Sequence, residues 1–217
     1  MKKITAIEAQ KKSANRVNIH LDGEFAFGLA RIVAAWLRVG QELSEDKIKE
    51  LQFEDARERA FQQAMLFLSY RARSESEIRQ NLRKHEIPED IIEQTIEQLR
   101  QGGLADDGQF ARAWVENRNA FRPRSRRMMA VELRQKGLNH ETIKSAVEGV
   151  NDEALAYEAA QKWALKSKDM EWIEFRRKLS GFLARRGFSY SVIAPVLSRI
   201  WNETHADEHH HEEEDGI

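Results

Sequence analysis

The chain has 217 residues, of which 33% are charged and 41% hydrophobic, against about 25% and about 45 to 50% in ordinary globular domains. It contains no cysteine, which excludes a disulfide framework, a thiolate metal site and a cysteine nucleophile and points to a reducing compartment. No apolar run approaches the roughly 20 residues needed to cross a bilayer and the N-terminus lacks a signal-peptide core, so a cytoplasmic protein with no membrane contact is expected.

Residues 1 to 29 read as strands. Val17, Ile19 and Leu21 alternate with polar neighbours, Asp22-Gly23 supplies a two-residue turn, and Phe25, Phe27 and Leu29 alternate again; this is a hairpin pattern, because Gly tolerates the positive φ of a primed turn. Ile4 to Gln10 adds a third strand. Ala30 to Val39 predicts a short helix ended by Gly40, and Ser44 is placed to cap a helix beginning near Glu45.

Beyond this module one pattern occurs three times. The apolar frame Ile78, Leu82, Ile87, Ile92, Ile96, Leu99 returns as Met129, Leu133, Leu138, Ile143, Val147, Val150 and again as Leu179, Leu183, Phe188, Ile193, Leu197, Ile200. A period of about 50 residues marks a repeated supersecondary unit that stacks because no copy buries its apolar face alone. Each copy predicts three helices. In copy one, Ala60, Phe61, Ala64, Met65 and Leu68 form the first stripe, Ser74 to Glu77 is a capping box for the second helix, and Pro88 suits the start of a third that Gly102-Gly103 ends. Copy two opens after Asp106-Asp107 with Phe110, Ala111 and Trp114, passes a basic loop, enters its second helix near Ser125, closes it at Gly137 and caps the next at Asn139. Copy three has Ala156, Ala160 and Trp163, then Leu179 and Leu183, with Gly187 as stop and Ser189 as cap. The expected organisation is a mostly α, elongated, solenoid-like array: residues 1–56 as a β-hairpin module with connecting helix, repeats at 57–105, 106–150 and 151–203, and an acidic, His-rich, disordered tail at 204–217.

Four of these stretches, in order, resemble signatures of one family: Ser74-x-x-Glu77-Ile78; Gly103-Leu-Ala-Asp-Asp107 followed by Phe110-Ala111; Glu132-Leu-Arg-Gln-Lys-Gly-Leu138; and Phe182-Leu-Ala-Arg-Arg-Gly-Phe188. Together they are similar to the RecX family, bacterial regulators of the RecA recombinase, over about residues 57 to 202, and the hairpin module resembles the leader of its longer members. The chain departs from the family pattern at Leu104, where an aromatic residue is usual, and at Ser125, where a Gly is usual, after an enlarged Arg-rich loop. The resemblance implies a monomeric, non-enzymatic protein without cofactor that lies along the groove of the RecA-DNA filament. It would limit filament growth and so lower ATP hydrolysis and strand exchange in homologous recombination, DNA repair and the SOS response. Single- or double-stranded DNA is a further partner to be expected.

The residues offer their own candidate for that contact. Net charge is only -1, but Arg112 to Lys136 carries eight Arg or Lys against two Glu, while Glu203 to Asp215 carries seven carboxylates and no Lys or Arg. Arg118, Arg122, Arg124, Arg126, Arg127, Arg134 and Lys136 form a basic loop and helix, and Arg176, Arg177, Lys178, Arg185 and Arg186 form a second set near the equivalent helix of copy three. Such clusters suit a phosphate backbone or an acidic groove, because positioned cations release counterions; a solvated helix face is the plainer account. If Arg79, Arg83 and Lys84 of copy one faced the same side, the three sets would join into a stripe.

Other patterns are weaker. Gly137 with Ile143 loosely fits a DNA-reading helix-turn-helix, the alternative function. Against it, Asn139-His-Glu141 and Pro88-Glu-Asp90 set carboxylates where bases and phosphates would lie. Asp106-Asp107 has too few converging carboxylates for a two-metal nuclease and fits a helix cap. No G-x-x-x-x-G-K-[ST] loop occurs. His209 to His211 beside Glu212 would bind a divalent metal only weakly. Trp114 and Trp163 fall on apolar stripes and are expected in the core; Phe121, inside the Arg loop, is the aromatic placed to stack on a base.

Overall fold

The computed structural model of the chain describes residues 1–11, 13–167 and 170–205. It divides into two compact units, Met1–Ala105 and one that begins at Asp106.

The first unit opens with a four-stranded antiparallel sheet of order β3-β2-β1-β4, built from β1 (Lys2–Gln10), β2 (Ser13–Leu21), β3 (Glu24–Ala30) and β4 (Glu42–Leu43). Asp22 and Gly23, at φ 50° and 92°, form the turn between β2 and β3, as a primed turn demands. The turn is tied to β1, since the Asp22 N–H donates to the Lys3 carbonyl and the Lys3 N–H to Asp22 Oδ1. The helix expected over Ala30 to Val39 is a single 3-10 turn, Val33–Trp36. Ala30 still belongs to β3, and Leu37 returns to extended backbone at ψ 145°, so too few residues remain for an α-helix.

Helix α1 (Glu45–Ser69) starts at Ser44, whose hydroxyl accepts from the Lys47 N–H, and runs unbroken for 25 residues. Its first half closes the sheet's core, Leu51 packing with Ile4, Val17, Ile19, Leu29 and Leu43. Its second half, through Ala60 and Ala64, packs on Ile78, Leu82, Ile92, Ile96 and Leu99 of α2 (Glu75–Lys84) and α3 (Glu89–Gln101). Buried Asp55 fastens the two parts. It accepts from Arg16 Nη1 at 3.1 Å and Nη2 at 2.9 Å and from the Ala30 N–H at 2.6 Å. The capping box at Ser74 is present in both directions.

The second unit holds α4 (Asp107–Phe121), α5 (Arg126–Gln135), α6 (His140–Val147), α7 (Asp152–Ala164), α8 (Trp172–Arg185) and α9 (Tyr190–His205). Caps sit where local chemistry puts them: Asp106, Ser125, Asn139 and Asn151 each accept a backbone N–H from the first turn that follows. The apolar frames of copies two and three merge into one core, in which Met129, Leu133 and Ile143 join Leu179, Leu183 and Ile193. Trp114 and Trp163 pack on its rim. Thr204 and His205, expected in the tail, extend α9 instead. The remainder of that tail, 206–217, including His209 to His211, lies outside the described residues.

Candidate functional site

Three hydrogen bonds, each with a backbone group as donor or acceptor, cross the seam between copies two and three. The Ser125 N–H donates to the Arg186 carbonyl at 3.1 Å, Arg186 Nη1 donates to the Pro123 carbonyl at 2.9 Å, and the Arg126 N–H donates to Asp152 Oδ1 at 2.6 Å. The basic loop between α4 and α5 is thereby pinned to the end of α8, 63 residues away in sequence at Pro123 and Arg186.

The arginines predicted as a group separate into two kinds. Arg118 and Arg124 are held within the protein by Glu132: Arg118 Nε lies 2.7 Å from its carboxylate and Arg124 Nη1 lies 2.8 Å from it, while the Trp114 indole N–H donates to the same group at 2.8 Å. Arg118 also lies over the Trp114 ring at 4.4 Å, with Lys136 further off at 5.4 Å. Lys178 pairs with Glu174 along α8. By contrast Arg122, Arg126, Arg127, Arg134, Arg176, Arg177 and Arg185 are exposed, and none of their side chains has a carboxylate partner among the described residues.

Four of the predicted residues line one cavity of about 340 Å³: Arg122, Arg124, Arg185 and Arg186, with Phe182 as its apolar wall. The Arg186 guanidinium lies 4.3 Å from the Phe182 ring centre. Burial, then repulsion from Arg124 and Arg122, lowers the Arg186 pKa from its ordinary value. Phe182 was missed at the sequence level, although its spacing of four from Arg186 on a helix is the signal for such a pair.

Copy one differs in its electrostatics. Arg79 bonds Glu93 and Glu75, Arg83 bonds Glu89, and Arg100 bonds Glu75, so these arginines are neutralised, whereas copies two and three pair some of theirs and leave Arg122, Arg126, Arg127, Arg134, Arg176, Arg177 and Arg185 without a carboxylate among the described residues. Glu89 and Asp90 occupy the first turn of α3 and Glu141 that of α6, a placement that suits the helix dipole and repels phosphate. A wider cleft of about 950 Å³ in the first unit is lined by Arg31, Arg59, His85, Ile32 and Leu66 among others, and its Arg16 is engaged by Asp55. Among the described residues no group of three His, Asp or Glu could hold a metal ion, and no helix is long and apolar enough to cross a membrane.

Comparison with known proteins matches these units in order. Residues 2–44 match the N-terminal domain of regulatory protein RecX, and residues 60–99, 106–147 and 151–197 match the first, second and third RecX three-helix domains. The chain is 35% identical over 204 residues to the regulatory protein RecX of Bacillus pumilus, covering 92% of this chain and 78% of that protein. It is 33% identical over 210 residues to that of Clostridium acetobutylicum, covering 92% and 97%. A crystal structure of regulatory protein RecX superposes with a TM-score of 0.68 at 31% identity, covering 88% of this chain and 97% of the other. A RecX structure from Lactobacillus salivarius shares the fold, with a TM-score of 0.59 at 22% identity over 68% of this chain and 97% of that one. A strand module followed by three three-helix units, matched in order along the chain, makes this protein a member of the RecX family of regulatory proteins.

Proposed function

We propose that this protein is a non-enzymatic regulator of the RecA recombinase, which binds the RecA-DNA filament through the second and third copies and lowers its ATP hydrolysis and strand exchange. Family membership supports the regulatory role. The observation that carries the choice of surface is the set of arginines at Arg122, Arg126, Arg127, Arg176, Arg177 and Arg185, exposed and without carboxylate partners among the described residues. A filament of nucleic acid and protein presents a long track of phosphates and acidic side chains, and cations left open on one unit suit such a track better than the paired arginines of copy one. The test is the DNA-dependent ATPase of RecA titrated with this protein: the rate should fall at substoichiometric amounts. A rate that neither falls nor rises at any ratio excludes this function.

A further inference from the structure

The cavity lined by Arg122, Arg124, Phe182, Arg185 and Arg186 has no carboxylate in its wall. Of its four guanidinium groups, Arg124 reaches out to Glu132 and Arg186 to a carbonyl, while Arg122 and Arg185 meet no anion among the described residues. Like charges converging in a half-buried space raise the free energy of the empty protein, and an entering anion relieves it. The Ser125-Arg186 and Arg186-Pro123 hydrogen bonds hold the loop against α8, so the four side chains spring from backbone that is fixed around the cavity. Gly181, one turn before Arg185, leaves room for this: a Cβ there would lie 3.3 Å from Arg185 Nη1. Guanidinium forks match the paired oxygens of a phosphate.

Two features favour a polymer over a small free anion. Phe121, next in the chain to Arg122, is 77% exposed, and an aromatic ring beside a phosphate seat is how single-stranded nucleic acid is held. Exposed Arg126 and Arg127 continue the positive charge beyond the loop. The geometry points to a seat for one backbone phosphate of single-stranded nucleic acid in the Arg122-Arg124-Arg185-Arg186 cavity, with the neighbouring base stacked on Phe121. The seat names the polymer component of the filament reading and rests on it only in that respect, since it belongs to the isolated chain.

The test uses the full chain, first without RecA against three probes, a short thymidine oligonucleotide, a duplex of the same length and inorganic pyrophosphate, and then in the RecA ATPase titration. Arg122→Gln/Arg185→Gln removes the two guanidinium groups that make no ion pair, and Arg176→Gln/Arg177→Gln removes equal charge from α8 outside the cavity. The cavity variant should bind the oligonucleotide more weakly than the α8 variant, with a salt slope shallower than that of the unaltered protein by roughly 0.7 to 1.4. Pyrophosphate should compete for the seat, and should raise the melting temperature of the unaltered protein but not that of the cavity variant. Phe121→Ala should lower single-strand affinity roughly 5- to 100-fold and leave duplex affinity unchanged. Equal affinity and slope for the two charge variants overturns the seat. Pyrophosphate binding without oligonucleotide binding overturns its assignment to nucleic acid, and so does a cavity variant that keeps the oligonucleotide but loses its effect on RecA, which would make the occupant an acidic side chain. Oligonucleotide results as expected with no effect on the RecA ATPase leave the seat standing and remove the filament function.

Discussion

Gly187 faces Ser125 so closely that a Cβ on that glycine would lie 2.7 Å from the Ser125 hydroxyl oxygen and 2.8 Å from Met128 Cβ. Gly187 also has φ +88°. Two costs therefore meet at one position. The left-handed backbone costs a residue with a Cβ roughly 1 to 2 kcal/mol, and overpacking against a rigid helix start adds about 1 to 3 kcal/mol. Gly187→Ala should destabilise the protein by several kcal/mol in denaturant unfolding. Gly103→Ala, at φ +67° with nothing within 4 Å, should cost only the backbone share. Equal losses for both would show that the seam yields without strain.

Glu132 is the counter-charge that decides which arginines are free. Removing it as Glu132→Ala leaves Arg118, Arg124 and the Trp114 N–H without the acceptor that they share, at a cost of about 1 to 3 kcal/mol. The same change exposes two more positive charges, so nucleic-acid affinity at low salt should rise and its salt dependence steepen. Calorimetry and a salt titration read the two effects separately, and a stability loss with no change in salt slope would mean that the released guanidinium groups do not reach a ligand.

Asp55 joins the sheet to α1 through three donors from Arg16 and Ala30. Asp55→Ala leaves the Arg16 guanidinium partly buried and unpaired, a loss of about 3 to 5 kcal/mol. Asp55→Asn, which keeps the shape and one acceptor, should lose less. If both variants unfold like the unaltered protein, the clamp contributes nothing measurable.

Acid should weaken copy one. Burial pushes the Glu75 carboxyl up, but the hydrogen bonds from Arg100 and Arg79 outweigh it and hold its pKa below the ordinary 4.5. A depressed carboxylate pKa contributes stability that is fully present above the unfolded value and is lost as pH falls through the folded one. The melting temperature should therefore drop as pH falls below about 4.5, and Glu75→Gln should flatten that drop. A variant with the same acid profile as the unaltered protein would show that Glu75 does not set it.

Leu133, fully buried in the joint core of copies two and three, tests the repeat frame itself. Leu133→Ala should cost about 2 to 5 kcal/mol, seen as a lower denaturation midpoint with helical content retained below it.

Much of this fold was readable because its signals are local. The Asp22-Gly23 turn, the Ser74 capping box and the cap at Asn139 need only a few neighbouring residues, and the apolar frame shows itself by recurring. The 3-10 turn at Val33–Trp36 was misread because Ala30 is claimed by β3 through long-range pairing with Arg16. The candidate site was legible as a count of arginines and not as an arrangement. Glu132 takes Arg118 and Arg124 across separate elements, and Arg186 reaches Pro123 over 63 residues; no spacing rule along the chain announces either. Ser125 could be read as the start of a helix, but its contact with Gly187 depends on how copy three docks on copy two.

The unbroken course of α1 bears on how such proteins exchange parts. The match to the N-terminal domain ends at residue 44, one residue before the helix begins, yet Leu51 and Asp55, which complete and anchor the sheet, lie beyond it. A chimera joined at that junction would give the sheet a foreign lid and a foreign counter-ion for Arg16. Grafting the module onto another scaffold therefore requires carrying the helix with it at least as far as Asp55, eleven residues past the end of the matched domain.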